Sequence, residues 1–196
     1  MNRPVQDPNA AHKLRGVCVY CGSSIGRDPV YVEAARKLGR IFAEAKVPLV
    51  YGGASIGLMG EIARSVMEHG GRVTGIVPDF LRHIEPHAEH ITELIITETM
   101  HERKARMFAM SDAFVSLPGG VGTLEETVEM LTWAQLKLHA KPMILVNIRN
   151  YWDPLIALFN EIIEQDFAKN GLHDLITVVP NVEDVLPTIL AQRVTV

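Results

Sequence analysis

Cysteine, long apolar runs and an excess of charge of one sign are all scarce in this 196-residue sequence. It contains 2 cysteines, and its 19 basic and 23 acidic side chains leave a formal net charge of −4. No apolar stretch approaches the roughly 18 residues needed to cross a bilayer. No block of like charges is present, so we expect neither a nucleic acid polymer nor a membrane as a partner.

The remaining composition is that of one globular domain. Hydrophobic residues make up 47% of the chain, and at this length they can bury a core without disulfides or a bound metal. We expect a flexible N-terminal tail over residues 1–14 and a single domain over residues 15–196. Because the tail is polar, with Pro4 and Pro8 in place of a basic and then apolar leader, we expect a cytoplasmic protein.

Short apolar runs alternate with amphipathic segments throughout this domain. Runs rich in β-branched residues predict strands, buried on both faces, over 17–21, 48–51, 73–77, 94–97, 113–117, 143–147 and 176–179. Helical spacing predicts a helix that Asp28 caps and Pro29 opens, then helices over about 57–69, 101–111, 123–139, 152–167 and 182–191. This alternation predicts an α/β fold, a doubly wound, Rossmann-like parallel sheet of about seven strands with helices on both faces.

The two cysteines form a C-x-x-C motif, which is typical of redox and zinc sites. Cys18 and Cys21 lie on the first predicted strand, where residues three apart face opposite sides of the sheet. A redox pair would open a helix instead, and a structural zinc site would need a second pair. We therefore interpret both as small buried residues.

Glycine-rich loops follow three of the predicted strands, at residues 22–26 (GSSIG), 52–57 (GGASIG) and 118–126 (PGGVGTLEE). In a doubly wound sheet such loops meet at the ligand-binding rim. In the third loop the glycines allow backbone N–H groups to approach a phosphate closely, and Thr123 can add a hydroxyl at a helix N-terminus. The loop is neither a Walker A motif, since no Lys-Ser/Thr follows, nor a good dinucleotide motif, since Glu125 replaces the third glycine.

The two acidic residues that end this loop have a structural and a functional interpretation. Thr123 and Glu126 match a capping box, and Glu125 suits the positive end of a helix dipole. Alternatively, one of the two carboxylates faces the reacting carbon of a ligand whose phosphate the glycine amides hold. The local sequence does not decide between Glu125 and Glu126.

Two other segments resemble catalytic or metal sites. Residues 53–57 (GASIG) match the nucleophile elbow of serine hydrolases around Ser55, although no particular downstream histidine is singled out. Possible metal ligands are densest between residues 83 and 90, but Pro86 prevents a regular zinc-binding helix there. This cluster comprises His83, Glu85, His87, Glu89 and His90. We expect a loop of small residues around Ser55, no metal, and a solvated flap next to the ligand.

Three cations, Arg103, Lys104 and Arg106, lie close to the start of a predicted helix. Positive charge there opposes the helix dipole. Exposed cations would tolerate this position at little cost, whereas an anionic ligand or a carboxylate partner would explain them better.

Together these segments resemble the LOG ("lonely guy") family of cytokinin riboside 5′-monophosphate phosphoribohydrolases, which are often labelled lysine decarboxylases. The resemblance rests on residues 100–104 (MHERK) and 118–126 (PGGVGTLEE), and it extends to residues 20–24, 50–53, 57–60 and 131–136. It covers about residues 15–191. It implies hydrolysis of the N-glycosidic bond of an N6-modified AMP without a cofactor, and a homodimer whose two subunits close the site.

The resemblance also implies the roles of individual residues. It makes Arg103 and Glu126 the catalytic pair. Its substrate contacts, to which we add Ser23 and Ser24 as phosphate donors, are Glu85, Arg103, Lys104, Gly119, Gly120, Val121, Gly122, Thr123, Leu124, Glu125 and Thr132. The segment 79–85, which contains Glu85, differs from the plant version of the family. The alternatives are a general AMP or purine nucleotide nucleosidase and a non-catalytic nucleotide-binding or carrier protein.

This chemistry agrees with the residue types. Breaking a glycosidic bond builds positive charge on the ribose C1′, which a carboxylate such as Glu126 stabilises while it positions or deprotonates water. Arg103 can stabilise the charge on the departing base or hold the neighbouring groups in place. A phosphate remote from this bond would supply binding energy and orient the reacting carbon.

Overall fold

A computed structural model describes residues 14–82, 84, 86–87, 90–168 and 171–193. Within these ranges the strands are β1 (Val17–Tyr20), β2 (Leu49–Tyr51), β3 (Val73–Pro78), β4 (Glu93–Thr97), β5 (Ala113–Ser116), β6 (Met143–Val146) and β7 (Thr177–Val179). The helices are α1 (Val30–Glu44), α2 (Gly57–Glu68), α3 (Asp79–Arg82), α4 (Met100–Met110), α5 (Val121–Gln135), α6 (Asp153–Glu164) and α7 (Val185–Arg193). Residues 1–13 of the expected tail lie outside the described residues, so the tail remains a prediction.

The strands form one seven-stranded sheet in the order β4-β3-β2-β1-β5-β6-β7, and all neighbours are parallel. This confirms the predicted doubly wound fold. The chain winds outwards from β1 to the edge strand β4, and α4 then crosses back over the sheet to β5, beside β1. The strand order therefore reverses between β1 and β5, where ligands bind in folds of this kind.

The predicted helices are present, with differences at their ends. Asp28 accepts a hydrogen bond from the Val30 N–H at 3.0 Å, as expected of a cap, but α1 begins at Val30 rather than Pro29. The helix predicted to end near 139 stops at Gln135, because Lys137 is left-handed (φ 60°) and its N–H bonds back to the Ala134 carbonyl. The short helix α3 was not predicted, and a 3₁₀ turn over Val182–Asp184 precedes α7.

Two hydrophobic clusters cover the two faces of the sheet. One packs α1, α2 and α7 against residues such as Val17 and Val19, and the other packs α4, α5 and α6 against Cys18 and Tyr20. Cys18 and Cys21 belong to different clusters, and both are buried free thiols. Burial raises the pKa of each thiol far above its usual range. The separate locations and the raised pKa values both support the interpretation of Cys18 and Cys21 as small buried residues, and both argue against a redox pair.

No helix in the described part of the chain has the length and apolar character needed to cross a membrane.

Candidate active site

The loops that follow β1 and β5 meet at the reversal point of the sheet. The Gly22 N–H donates to the Pro118 carbonyl at 3.1 Å. A Cβ on Gly119 would lie 2.8 Å from the Gly22 nitrogen and 2.2 Å from Oγ1 of Thr123, so only glycine fits there. The contact between Gly22 and residues 118–119 fixes the start of the glycine loop after β5 against the loop after β1.

A cavity of about 250 Å³ opens beside this contact. Backbone from the start of α5 forms one wall, and Arg103 and Glu126 supply its buried charged groups. Met59, Leu81 and Met100 add apolar side chains to the lining. The lining residues are Cys21, Ser23, Met59, Leu81, Met100, Arg103, Gly120, Val121, Gly122, Thr123, Glu125 and Glu126.

The N-terminus of α5 faces this cavity without a side-chain cap. Gly120 is the N-cap, and no side chain among the described residues caps the helix. A Cβ on Gly120 or Gly122 would meet no atom within 4 Å, so there is open space beside both. The first N–H groups of a helix have no partner within the helix, and the helix dipole favours an anion there. This geometry suits a phosphate.

The predicted capping box at Thr123 and Glu126 is wrong. Helix α5 begins at Val121, so Thr123 is already inside the helix, buried, with its backbone carbonyl accepting from the Thr127 hydroxyl at 2.6 Å. Glycine supplies the N-cap instead, which leaves the Glu126 carboxylate free for another partner.

That partner is Arg103. Its Nη2 lies 3.4 Å from Oε1 of Glu126, and only 10% and 12% of the two side chains are exposed. The Arg103 Nε is buried without a hydrogen-bond partner among the described residues. Burial raises the pKa of Glu126 to about 7, although the positive charge of Arg103 opposes this rise. A carboxyl that exchanges its proton near neutral pH suits general acid–base chemistry.

Gly52, the first residue of the loop after β2, makes room for this pair. A Cβ at Gly52 would lie 2.4 Å from Nη2 of Arg103 and 3.0 Å from Sδ of Met59. The glycine is therefore required by the close approach of the guanidinium.

Lys104 forms a second ionic contact between α4 and α5. Its Nζ donates to Oε1 of Glu125 at 2.7 Å and to Oε1 of Glu129 at 2.8 Å, and 11% of its side chain is exposed. Burial alone would lower the pKa of Lys104, but these hydrogen bonds raise it. Of the two alternatives for these cations, exposure and a carboxylate or anionic partner, the structure supports carboxylate partners for Arg103 and Lys104.

A capping interaction does occur, but at the start of α4, where the sequence interpretation missed it. Oγ1 of Thr99 accepts from the Glu102 N–H at 3.1 Å, and the Glu102 carboxylate accepts from the Glu98 N–H at 3.0 Å. The Thr-x-x-Glu spacing could have identified it. The negative charge of Glu102 in the first turn of α4 also offsets the unfavourable interaction of the following cations with the helix dipole. Nη2 of Arg106 lies 3.6 Å from Oε1 of Glu102.

The other predicted substrate contacts lie at different places, and Gly119 lines a neighbouring cavity rather than this one. Ser23 lines the cavity, whereas Ser24 lines a neighbouring one. Leu124 and Thr132 lie outside the cavity on the exposed side of α5, where the Thr132 hydroxyl donates to the Val128 carbonyl at 2.8 Å. Lys104 is not part of the cavity lining and makes the contacts given above. Glu85 lies outside the described residues.

The neighbouring cavity has a volume of about 260 Å³ and shares Ser23 and Gly120 with the first. Tyr31 and Tyr151 line it, with ring centroids 5.9 Å apart in an edge-to-face contact. The Tyr151 hydroxyl donates to the Gly119 carbonyl at 2.6 Å. Sequence reasoning missed Tyr151, because nothing local connects the loop after β6 with residue 119.

Ser55 and the described histidines His87 and His90 do not line the cavity that holds Arg103 and Glu126. Ser55 lines a different cavity, between α2 and the segment that contains His87 and His90. Among the described residues, no group of three or more His, Cys, Asp or Glu is placed to hold a metal ion. His83, Glu85 and Glu89 of the predicted cluster lie outside those residues.

Known proteins share both the sequence and the fold. The chain is 44% identical over 170 residues to the probable cytokinin riboside 5′-monophosphate phosphoribohydrolase LOGL1 of Oryza sativa subsp. japonica, covering 87% of this chain and 76% of that protein. The chain belongs to the LOG family. Another LOG protein, the cytokinin riboside 5′-monophosphate phosphoribohydrolase LOG7 of Arabidopsis thaliana, is 42% identical over 174 residues, which are 89% of this chain and 80% of that protein. The family model described as "possible lysine decarboxylase" matches residues 59–189.

Solved structures share the LOG-family fold of this chain at lower identity. The Moco carrier protein from Chlamydomonas reinhardtii is 19% identical, with a TM-score of 0.69 over 92% of this chain and 98% of that one. The molybdenum cofactor binding protein from Rippkaea orientalis is 20% identical, with a TM-score of 0.68 over the same shares. At this identity the likeness extends to the fold alone.

Proposed function

We propose that this LOG-family chain hydrolyses the N-glycosidic bond of an N6-modified adenosine 5′-monophosphate, which yields the free base and ribose 5-phosphate. One observation carries the proposal. The buried pair of Arg103 and Glu126 and the uncapped N-terminus of α5 line the same cavity. An ionisable carboxyl for the sugar carbon and an anion site for the phosphate therefore lie side by side.

The proposed mechanism assigns separate tasks to these groups. The N–H groups at the start of α5 hold the 5′-phosphate and so place C1′ near Glu126. As the bond between C1′ and the base nitrogen breaks, the Glu126 carboxylate stabilises the positive charge on the sugar and accepts a proton from the attacking water. The water oxygen joins C1′ and the base leaves with a proton, so substrate and water supply every atom and the proposal includes no cofactor.

Arg103 has two roles in this proposal. Its guanidinium holds the Glu126 carboxylate at the cavity wall, and its remaining N–H groups offer hydrogen bonds to the departing base. Arg103 lines the cavity with 10% of its side chain exposed, so its guanidinium is accessible to a ligand there, which supports the second role. The apolar side chains of Met59, Leu81 and Met100, which also line the cavity, suit an apolar substituent on the base.

A homodimer is also part of the proposal. Val121, Leu124, Val128 and Thr132 share one face of α5, and its apolar members are at least 36% exposed. The cavity of about 250 Å³ is small for a nucleotide. A second subunit packed on this face would cover its exposed apolar side chains and add to the walls of the site. We propose a cytoplasmic location as well, supported by the two free thiols.

The experiment that tests the proposal measures release of ribose 5-phosphate from three substrates. These are isopentenyladenosine monophosphate, AMP and isopentenyladenosine, which lacks the phosphate. We expect turnover of the first and at least a 100-fold loss of kcat/KM for the third, since the phosphate orients the reacting carbon. Comparable turnover of AMP would favour the general nucleosidase. Binding of the monophosphates without release of product would contradict catalysis and favour a carrier.

A further inference from the structure

The Tyr151 hydroxyl ties the loop after β6 to the glycine loop after β5. It donates to the Gly119 carbonyl at 2.6 Å. The Cα of Gly119 is packed against Gly22 and Thr123, where a Cβ would not fit. Packing therefore holds the Cα of Gly119, and a directed hydrogen bond from Tyr151 orients its carbonyl.

This hydrogen bond has a consequence for the next residue. The Gly119 C=O and the Gly120 N–H belong to one planar trans peptide group, so they point in opposite directions. The structure contains no cis peptide bond among its described residues. Fixing the carbonyl towards Tyr151 therefore fixes the Gly120 N–H away from Tyr151. Gly120 lines both cavities, whereas Tyr151 lines only the second.

The carbonyl of Gly120 accepts from the Leu124 N–H at 3.0 Å, which fixes the side of Gly120 that enters the helix. On its other side, a Cβ at Gly120 would meet no atom within 4 Å, so packing does not orient the peptide group between Gly119 and Gly120 there. Glycine also has more backbone freedom than other residues. Without the hydroxyl of Tyr151 the Gly119 carbonyl would lose its directed hydrogen bond, and the Gly120 N–H would be oriented less firmly towards an anion.

The loop that carries Tyr151 is itself firmly held. Arg149 and Asn150 are consecutive non-glycine residues with left-handed backbone, at φ 54° and 59°. The Asn147 side chain closes the loop: its Nδ2 donates to Asp153 at 2.7 Å, and its Oδ1 accepts from the Trp152 N–H at 2.7 Å. Such conformations persist only where the surroundings determine them. The loop therefore presents the Tyr151 hydroxyl at a defined position.

We propose that Tyr151 is a positioning residue for phosphate recognition, because its hydroxyl orients the peptide group between Gly119 and Gly120 so that the Gly120 N–H serves the anion. This inference rests on the proposed function, in which the start of α5 holds the 5′-phosphate. Tyr151 itself does not touch the reacting atoms. It acts through the backbone of the glycine loop.

The test is Tyr151→Phe, which removes the hydroxyl and keeps the ring that contacts Tyr31 and Trp152. We expect KM for isopentenyladenosine monophosphate to rise roughly three- to tenfold, the effect of one hydrogen bond, with kcat within about twofold of the wild type. The Kd for ribose 5-phosphate, measured by titration calorimetry, should rise by a similar factor. An unchanged thermal midpoint would show that the variant is folded.

Tyr31→Phe is the matched control, because it removes a hydroxyl that has no hydrogen bond to the described residues. We expect it to leave KM and Kd unchanged. Equal effects of the two variants, unchanged constants in Tyr151→Phe, or a fall in kcat at constant KM would each overturn the proposal. If the wild type bound ribose 5-phosphate but hydrolysed no monophosphate, the proposed function would fail, and the calorimetric comparison would still decide the role of Tyr151.

Discussion

Nη2 of Arg103 lies 3.4 Å from Oε1 of Glu126, although the two residues belong to helices that follow different strands of the sheet. Helix α4 crosses back from the edge strand β4, and α5 starts beside the central strand β5. Their approach places a nearly buried ion pair next to the open N-terminus of α5.

Gly52→Ala tests the space that this pair needs. The added Cβ would lie 2.4 Å from Nη2 of Arg103, at the end of a flexible side chain, so the guanidinium should move while the fold persists. We expect kcat/KM to fall roughly 100-fold, with little change in the free energy of unfolding. Steady-state kinetics and urea unfolding on the same preparation measure both. Retained activity would show that the position of Arg103 is not critical.

The pH dependence of the reaction should follow the ionisation of Glu126. Burial raises the pKa of this carboxyl to about 7, and the proposed mechanism needs the carboxylate. We therefore expect kcat to rise with pH through about 7 and to be about tenfold lower at pH 6 than at pH 8. A rate that fell with rising pH over this range would mean that the protonated acid is the active form.

Two neighbouring variants should move this profile in opposite directions. Glu125 raises the pKa of Glu126 and Lys104 lowers it. Glu125→Gln should therefore shift the rise in kcat to lower pH, and Lys104→Gln should shift it to higher pH. The substrate phosphate also titrates, but it does so equally for the wild type and both variants. Differences between their pH profiles therefore report ionisation of groups on the protein. Shifts in the same direction would contradict the assignment to Glu126.

The same carboxyl should make folding stability depend on pH. A Glu whose pKa is raised in the folded state binds more protons there than in the unfolded chain, so its contribution is present at low pH and is lost as pH rises from about 4.5 to about 7. The free energy of unfolding of the wild type relative to Glu126→Gln should fall by about 2–3 kcal/mol across this range. Urea unfolding at pH 5 and pH 8 measures this difference. A difference that did not change with pH would contradict the raised pKa.

Val128→Asp tests the proposed homodimer. Val128 is 36% exposed on the apolar face of α5, and a charge there should prevent a second copy from packing on this face. Light scattering should show a change from twice 21.7 kDa to 21.7 kDa, together with reduced activity. Leu158→Asp, on the exposed side of α6, is the control and should stay dimeric. A monomeric wild type would contradict the dimer.

The sequence predicted the fold better than the local details of the site. Apolar β-branched runs gave the positions of all seven strands to within two residues at either end. The five inner strands are largely buried on both faces and leave a strong signal. The prediction of burial on both faces is wrong for the edge strands β4 and β7, where Ile96 and Val178 are exposed. The first residue of α5 was harder to predict than the strands, as Thr123 and Glu126 show. Their spacing matched a capping box, but Gly120 is the N-cap, since the glycine loop packs against Gly22 and begins the helix earlier.

The contacts that build the site were beyond local sequence patterns. Cations near the start of α4 required a partner, but only the crossing of α4 over the sheet identifies Glu126 for Arg103, and Glu125 and Glu129 for Lys104. Tyr151 comes from a loop that has no motif of its own, and its bond to Gly119 joins residues 32 positions apart. Such pairings depend on the strand order, which spacing along the chain does not contain.

The most direct test of the account compares Glu126→Gln with Glu125→Gln in single-turnover hydrolysis of isopentenyladenosine monophosphate. Both changes remove one negative charge from adjacent positions of α5, but only Glu126 pairs with Arg103. We predict at least a 1000-fold loss of the rate for Glu126→Gln and less than a tenfold loss for Glu125→Gln, with both variants still binding AMP. Near-normal hydrolysis by Glu126→Gln would contradict the central claim that this carboxyl performs the chemistry.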